Sequence, residues 1–173
     1  NNHPPVLTGT AVTLRPITDA DTDLIVKWRN TPSVVQNFIF RQTFTPEMHR
    51  SWLATKVATG QVVQYIILDT RGKPVGSVYY RDIDNHNRSA EYGIFIGEES
   101  ARGKGLAPRR PACSHNSALI RCICTAQLRV LAENTAARRS YERPLVQEGV
   151  FRDMELLDGA YRDVVFMAKL AEN

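Results

Sequence analysis

Ser89-Ala90-Glu91-Tyr92-Gly93-Ile94-Phe95-Ile96-Gly97-Glu98-Glu99-Ser100-Ala101-Arg102-Gly103-Lys104-Gly105-Leu106-Ala107 is the stretch whose reading decides the fold. Ala90 to Ile96 predicts a strand, Glu98-Glu99 an acidic turn, and Gly103 and Gly105 a loop just ahead of a helix start. Glycines this close let the backbone take positive φ and approach a ligand with no Cβ in the way. Successive N–H groups in such a loop point into one concavity, and the helix N-terminus behind them adds partial positive charge. Arg102 and Lys104 flank the loop with formal charge. Together they make a candidate seat for a phosphate or pyrophosphate. Alone, a Gly-x-Gly turn is a weak sign of one.

Outward from this stretch, the chain alternates in short, well-punctuated segments. Ala11 to Arg15 reads as a strand stopped by Pro16. Thr18 with Asp21 reads as a capping box opening a helix through about Arg29, with Leu24, Ile25 and Trp28 on one face. Thr45-Pro46 starts a second helix carrying Met48, Trp52, Leu53 and Val57, and Gly60 ends it. Val62 to Leu68 and Val75 to Ile83 read as strands turned at Arg71-Gly72, so the first half of the sheet should be antiparallel. Gln127 to Leu131 is a further strand and Thr135 begins a helix. Val146 to Leu156 and Tyr161 to Ala168 close a hairpin at Asp158-Gly159. The expectation is one α/β domain over residues 11–173, its sheet mixed and mostly antiparallel. Residues 1–10 read as a disordered or appended N-terminal segment.

Composition narrows the function classes. With 173 residues the chain suits one domain, and 43% hydrophobic with 23% charged residues is a globular balance. No apolar run approaches a membrane span, and Asn1-Asn2-His3-Pro4-Pro5 lacks a signal-peptide core, so a cytoplasmic protein without a membrane partner is expected. The net charge of +4 raises nucleic acid as a partner. The basic residues are scattered, however, apart from Arg102 to Arg110 and Arg138-Arg139, and no nucleic-acid-binding pattern accompanies them. Cys113, Cys122 and Cys124, with one nearby His115, make a poor zinc site, and no metal is expected.

The second informative run is Ala132-Glu133-Asn134-Thr135-Ala136-Ala137-Arg138-Arg139-Ser140-Tyr141-Glu142. Asn134 is placed to cap a helix, and Tyr141 lies two turns on along the same face. Arg102-Gly103-Lys104-Gly105-Leu106-Ala107 resembles the R/Q-x-x-G-x-G/A signature of the GNAT (GCN5-related) N-acetyltransferase superfamily, and the later run resembles its N-x-x-A-x-x-x-Y-E pattern. The resemblance covers about Val12 to Leu170. It implies acetyl-coenzyme A as cosubstrate, its pyrophosphate on residues 102–107. Its pantetheine arm would lie along Glu91 to Ile96, with Ile94, Phe95 and Ile96 in contact, and Asn134 would touch the cofactor. Tyr141 would serve the departing thiolate. It further implies a sheet splayed at a central bulge, here near Tyr92 to Phe95, and a homodimer, since dimers are frequent among such enzymes.

An amine attacking a thioester directly needs a neutral amine, an oxyanion donor and a proton for the thiolate. Glu91 is the candidate base, direct or through water, and His49 and His86 are alternatives. Leu14-Arg15-Pro16, Trp28-Arg29-Asn30 and Phe44 to Trp52 resemble one branch of the superfamily. It holds ribosomal-protein N-terminal, spermidine and nucleotide-linked amino-sugar acetyltransferases. Trp28, Arg29, Asn30 and His49 are the substrate candidates this implies, although Trp28 and Trp52 fit a core equally well. A sugar nucleotide would use basic groups such as Arg29 and Arg41; a polyamine would want acidic ones, which the first helices lack. A small-molecule or peptide amine is the expected partner. A non-catalytic acyl-coenzyme A-binding module is the alternative, but it would dispense with Tyr141 and Glu91.

One segment departs from the pattern. After Ala107 an amphipathic helix is needed, and Pro108-Arg109-Arg110-Pro111 opposes it. Inserting one base after the Leu106 codon lets the same nucleotides spell Gly-Thr-Glu-Ala-Ala-Arg-Leu-Leu, and further on Leu-His-Leu-His through Thr125. The hypothesis is a frameshifted reading over 107–127, which an intact mass equal to the written sequence would remove. If the written sequence stands, the helix completing the phosphate seat is impaired.

Overall fold

The computed structural model describes residues 4, 6–8, 12–104, 125–142 and 145–170. Gly105, Leu106, Ala107, the three cysteines and most of the suspected frameshift lie outside the described residues.

Among the described residues eight strands form one sheet in the order β1-β2-β3-β4-β5-β6-β8-β7: Leu7–Thr8, Thr13–Pro16, Val63–Leu68, Pro74–Asp84, Ser89–Ile96, Thr125–Leu131, Val146–Leu157 and Ala160–Leu170 for β1 to β8. Neighbours are antiparallel except β5 and β6, which are parallel. The mixed, mostly antiparallel α/β domain expected is the one observed. β1 falls inside the N-terminal ten residues and pairs Leu7 with Leu14 and Thr8 with Thr13.

Among the described residues four helices accompany the sheet: α1 (Thr22–Asn30), α2 (Pro32–Val35), α3 (Pro46–Trp52) and α4 (Thr135–Tyr141). Their starts follow the side-chain caps. Thr18 and Asp21 form the capping box, opening a single 3-10 turn (Asp19–Asp21) that leads into α1. Thr45 Oγ1 accepts the Met48 N–H ahead of Pro46, and Asn134 Oδ1 accepts the Ala137 N–H. After Trp52 the helix widens into a π turn over Leu53–Val57, and Gly60 at φ +78° ends it.

Strand alternation divides the core. Ile66 joins Ile17, Ile25 and Trp28 on the face covered by α1 and α3. Tyr65, Ile67, Val78, Tyr80, Tyr92, Leu128 and Val130 face the other way, where Ala137 and Tyr141 of α4 pack. The same pleat sends Tyr79, Arg81, Glu91 and Arg129, the residues between these, to the α1–α3 face.

Candidate active site

The site begins where two strands part. β5 pairs with β6 only over Ser89 to Glu91, opposite Thr125 to Gln127. From Tyr92 to Ile96, β5 stays paired with β4 on one edge, but no described strand covers the other. Along that edge β5 has no strand partner among the described residues. The bulge expected near Tyr92 to Phe95 is placed differently. The β4–β5 register runs unbroken from Gly76 opposite Ile96 to Arg81 opposite Glu91, and the extra residue sits in β4 between Arg81 and Asp84, where Asp82 takes φ +51°.

The opening is a cleft of ≈ 930 Å³. Its β5 wall includes Ile94, Phe95 and Ile96, and its β6 wall runs from Leu128 to Leu131. Arg102 and Gly103 stand at one end. Arg102 Nε donates to the Ile96 carbonyl at 3.2 Å, capping β5, while its Nη2 is buried with no partner among the described residues. Gly103 has φ +71°, and a Cβ there would meet nothing. An orphaned guanidinium nitrogen beside an open glycine turn fits a phosphate group. Lys104 is exposed and outside the cleft lining.

Asn134 and Tyr141 line the cleft from α4. The Tyr141 phenol is pushed well above its ordinary value by burial, and Tyr79 adds to the effect, so the hydroxyl stays a proton donor through the neutral range. Burial raises Tyr79 likewise. Gly93, directly opposite Tyr79, lets that ring lie across β5, because a Cβ on residue 93 would strike its hydroxyl end.

Glu91 lines the cleft but is tied on two sides. Its Oε1 accepts from Arg81 Nη2 at 2.6 Å and from Arg129 Nε and Nη2, each at 3.3 Å. Arg81 sits opposite Glu91 in the register and Arg129 lies on β6 beyond the point of parting. Neither arginine was anticipated. The hydrophobic alternation of Val78 and Tyr80 marks Arg81 as facing the other way, but only the register reveals its partner.

The other half of the cleft includes Arg29, Phe38, Phe44, His49 and Trp52. The Arg29 guanidinium lies 4.0 Å from the Phe38 ring centroid and 4.6 Å from that of Phe44. Burial lowers its pKa, with Tyr79 partly offsetting this. His49 is buried, its Nδ1 2.9 Å from Thr22 Oγ1 and its Nε2 without a partner among the described residues. Burial lowers its pKa too, favouring the neutral ring. Trp28 and Asn30 do not line the cleft. Trp28 is 1% exposed, donates from Nε1 to Glu98 at 2.9 Å and packs against Gly97. Asn30 clamps the Phe44 backbone with both amide atoms, each at 2.8 Å. Arg41 is likewise spent, on the carbonyls of Gln36 and Phe38 and on Asp158. His86 sits in the exposed turn around Asp84. No described group of three or more His, Cys, Asp or Glu converges as metal ligands would. No described helix is long and apolar enough to cross a membrane.

Solved structures share this fold. The spermidine N-acetyltransferase from Vibrio cholerae in complex with CoA and spermine superposes with a TM-score of 0.82 at 23% identity, over 94% of this chain and 96% of that one. A chimera of the Vibrio cholerae enzyme and hSSAT gives 0.80 at 24% identity, over 92% and 95%. A dodecameric structure of the Vibrio cholerae enzyme gives 0.74 at 23%, over 94% and 95%. Among curated proteins none matches the sequence. The family model for the acetyltransferase (GNAT) domain matches residues 11–143, well over half of the chain. The chain therefore belongs to the GNAT family, and it is an acyltransferase.

Proposed function

We propose that the protein moves the acetyl group of acetyl-coenzyme A to a primary amine that attacks the thioester directly. One observation carries this reading: the parting of β5 from β6 after Glu91 and Gln127, which opens a cleft with a free strand edge on one wall. Bound acetyl-coenzyme A supplies an activated acetyl thioester. The free edge of β5 offers backbone groups to its amide-bearing arm, and Arg102 with the Gly103 turn would hold its phosphates. Lys104 would add only long-range charge. Gly105, Leu106 and Ala107 keep the roles the motif implies.

The remaining residues divide the proton work. Tyr141, held protonated by burial, donates toward the departing thiolate. Glu91, fixed by Arg81 and Arg129, would take the amine proton through water, and its two arginines set the carboxylate's orientation. Asn134 holds the α4 start against the cleft. The acceptor enters from the side of Arg29 and His49. A nucleotide-linked amino sugar is one candidate. A polyamine is the other, and the spermine bound to the Vibrio cholerae structure favours it.

Thermal unfolding with and without acetyl-coenzyme A tests the donor site. A thousandfold excess over the dissociation constant contributes about 4 kcal/mol, a rise on the order of ten degrees for a chain of this size. Absence of any rise would remove the reading. A rise without thiol release on adding primary amines would leave a binding module in its place.

A further inference from the structure

Arg29 lines the cleft as a cation with no carboxylate partner among the described residues. It stacks over Phe38 and Phe44, and burial lowers its pKa, with Tyr79 partly offsetting this. A desolvated guanidinium is costly unless an anion reaches it, and aromatic faces return only part of that cost. His49 stands beside it, close enough for the Arg29 charge to disfavour its protonation. Its ring is 6.2 Å from Phe44 and its Nε2 is buried and unpartnered at 1% exposure. The unpartnered His49 Nε2 and the Arg29 guanidinium, which meets no described carboxylate, thus line one cleft. The sign of the rest agrees. Among the described lining residues Arg29, Arg81, Arg102 and Arg129 stand against the single carboxylate of Glu91, which Arg81 and Arg129 already share.

We infer that Arg29 and His49 form an anion-binding subsite, and that the acceptor amine carries a carboxylate or phosphate group that docks there. The inference rests on the acetyltransferase reading above and names its substrate class. A guanidinium presents paired N–H donors at the spacing of carboxylate or phosphate oxygens, and stacking over two rings restricts its plane. His49 Nε2 donates to a second oxygen once the Thr22 hydroxyl turns its proton to Nδ1. The competing acceptor for that proton, Asp19 Oδ1, is 3.4 Å away and holds it weakly. This subsite and a polyamine acceptor exclude each other, because distal ammonium groups would meet Arg29.

The test titrates the protein, with saturating coenzyme A in its donor site, against matched amines differing in one anionic group. The pairs are ε-aminocaproate with hexylamine, γ-aminobutyrate with butylamine, and O-phosphoethanolamine with ethanolamine; spermidine serves as the polycation. Binding is read by calorimetry and acetylation by thiol release. At least one anionic member should bind about tenfold more tightly than its neutral partner, equivalent to about 1.4 kcal/mol. That preference should fall below about twofold in Arg29→Gln and recover in part in Arg29→Lys, the anionic amines losing more than their neutral partners. The carboxylate and phosphate pairs separate the two chemistries. Equal binding within every pair, tightest binding by spermidine, or equal losses for charged and neutral amines in a folded Arg29→Gln would each overturn the inference. The binding arm needs no turnover, so a protein that prefers anions but releases no thiol would overturn only the acetyltransferase reading. Turnover without anion preference would overturn only the subsite.

Discussion

Replacing Tyr141 by phenylalanine removes one oxygen and leaves the ring that packs on the core cluster with Ala137. The magnitude follows from the environment of that hydroxyl. It is buried enough to raise its pKa above the ordinary phenol value near 10, so it is present as a donor at every pH at which an amine is usefully neutral. A proton donor positioned in a water-poor cleft contributes about 10²–10⁴ in rate, and one preorganised hydrogen bond to developing charge about 10²–10³. We therefore expect Tyr141→Phe to lower kcat by about a hundredfold, about 2.7 kcal/mol, with coenzyme A affinity within about twofold of the wild type. The pH profile supplies a second reading. Activity that depends on the protonated phenol is lost only as pH rises through the raised folded value, so the wild-type profile should show no alkaline fall attributable to tyrosine below about 10. Thiol release measured across pH, with calorimetry of coenzyme A, makes both comparisons. A variant keeping a third of wild-type kcat, or losing affinity and rate together, would refute the assignment and leave Tyr141 as packing.

Three further outcomes are expected. Gly97→Ala places a Cβ inside the Trp28 ring, which is buried and held by Glu98. We expect a loss of about 1–3 kcal/mol, seen as a lower midpoint in chemical denaturation, whereas an unchanged midpoint would show that Trp28 moves freely. Asp21 is lowered in pKa: burial opposes ionisation, but the Arg15 pair and the Thr18 N–H outweigh it. Its contribution is fully present above the unfolded value near 3.9 and is lost as pH falls through the lower folded value, so Asp21→Asn should flatten the acid limb of stability below about pH 4; an acid limb parallel to the wild type would count against it. Asn30→Ala releases the Phe44 backbone without touching the cleft lining. The acceptor KM should rise severalfold at unchanged coenzyme A affinity, and an unchanged KM would mean that the loop holds itself.

What was legible in the sequence is what is decided within a turn or two of chain. The Thr18–Asp21 box, the Thr45 and Asn134 caps and the Asp158-Gly159 turn each rest on partners a few residues apart, and each is observed where the residue types put it. The strands follow because side chains alternate with period two. Pairings set by register were not legible: Arg129 meets Glu91 from 38 residues away, Trp28 meets Glu98 from 70, and Arg41 meets Asp158 from 117. For the same reason the bulge was expected in β5 when it lies in β4, since either strand of the pair carries residues compatible with it.

The division matters most for function, because residue type alone does not say whether a polar group is free to act. Asn30, Arg29 and Arg41 look equally suited to an acceptor from their sequence context. Folding commits Asn30 to Phe44 and Arg41 to Asp158 and two carbonyls, and it leaves Arg29 stacked on aromatic rings with no acid beside it. Arg102 divides within one side chain, with Nε holding the end of β5 and Nη2 held back from water. Buried polar groups are nearly always satisfied, so the few left unsatisfied in a cleft are those whose partner arrives with the substrate. By that criterion the proposed donor site would lie at Arg102 and the proposed acceptor site at His49, with Arg29 beside it. The reacting groups should then meet between them, where Glu91 and Tyr141 line the opening beyond the last paired residues of β5 and β6.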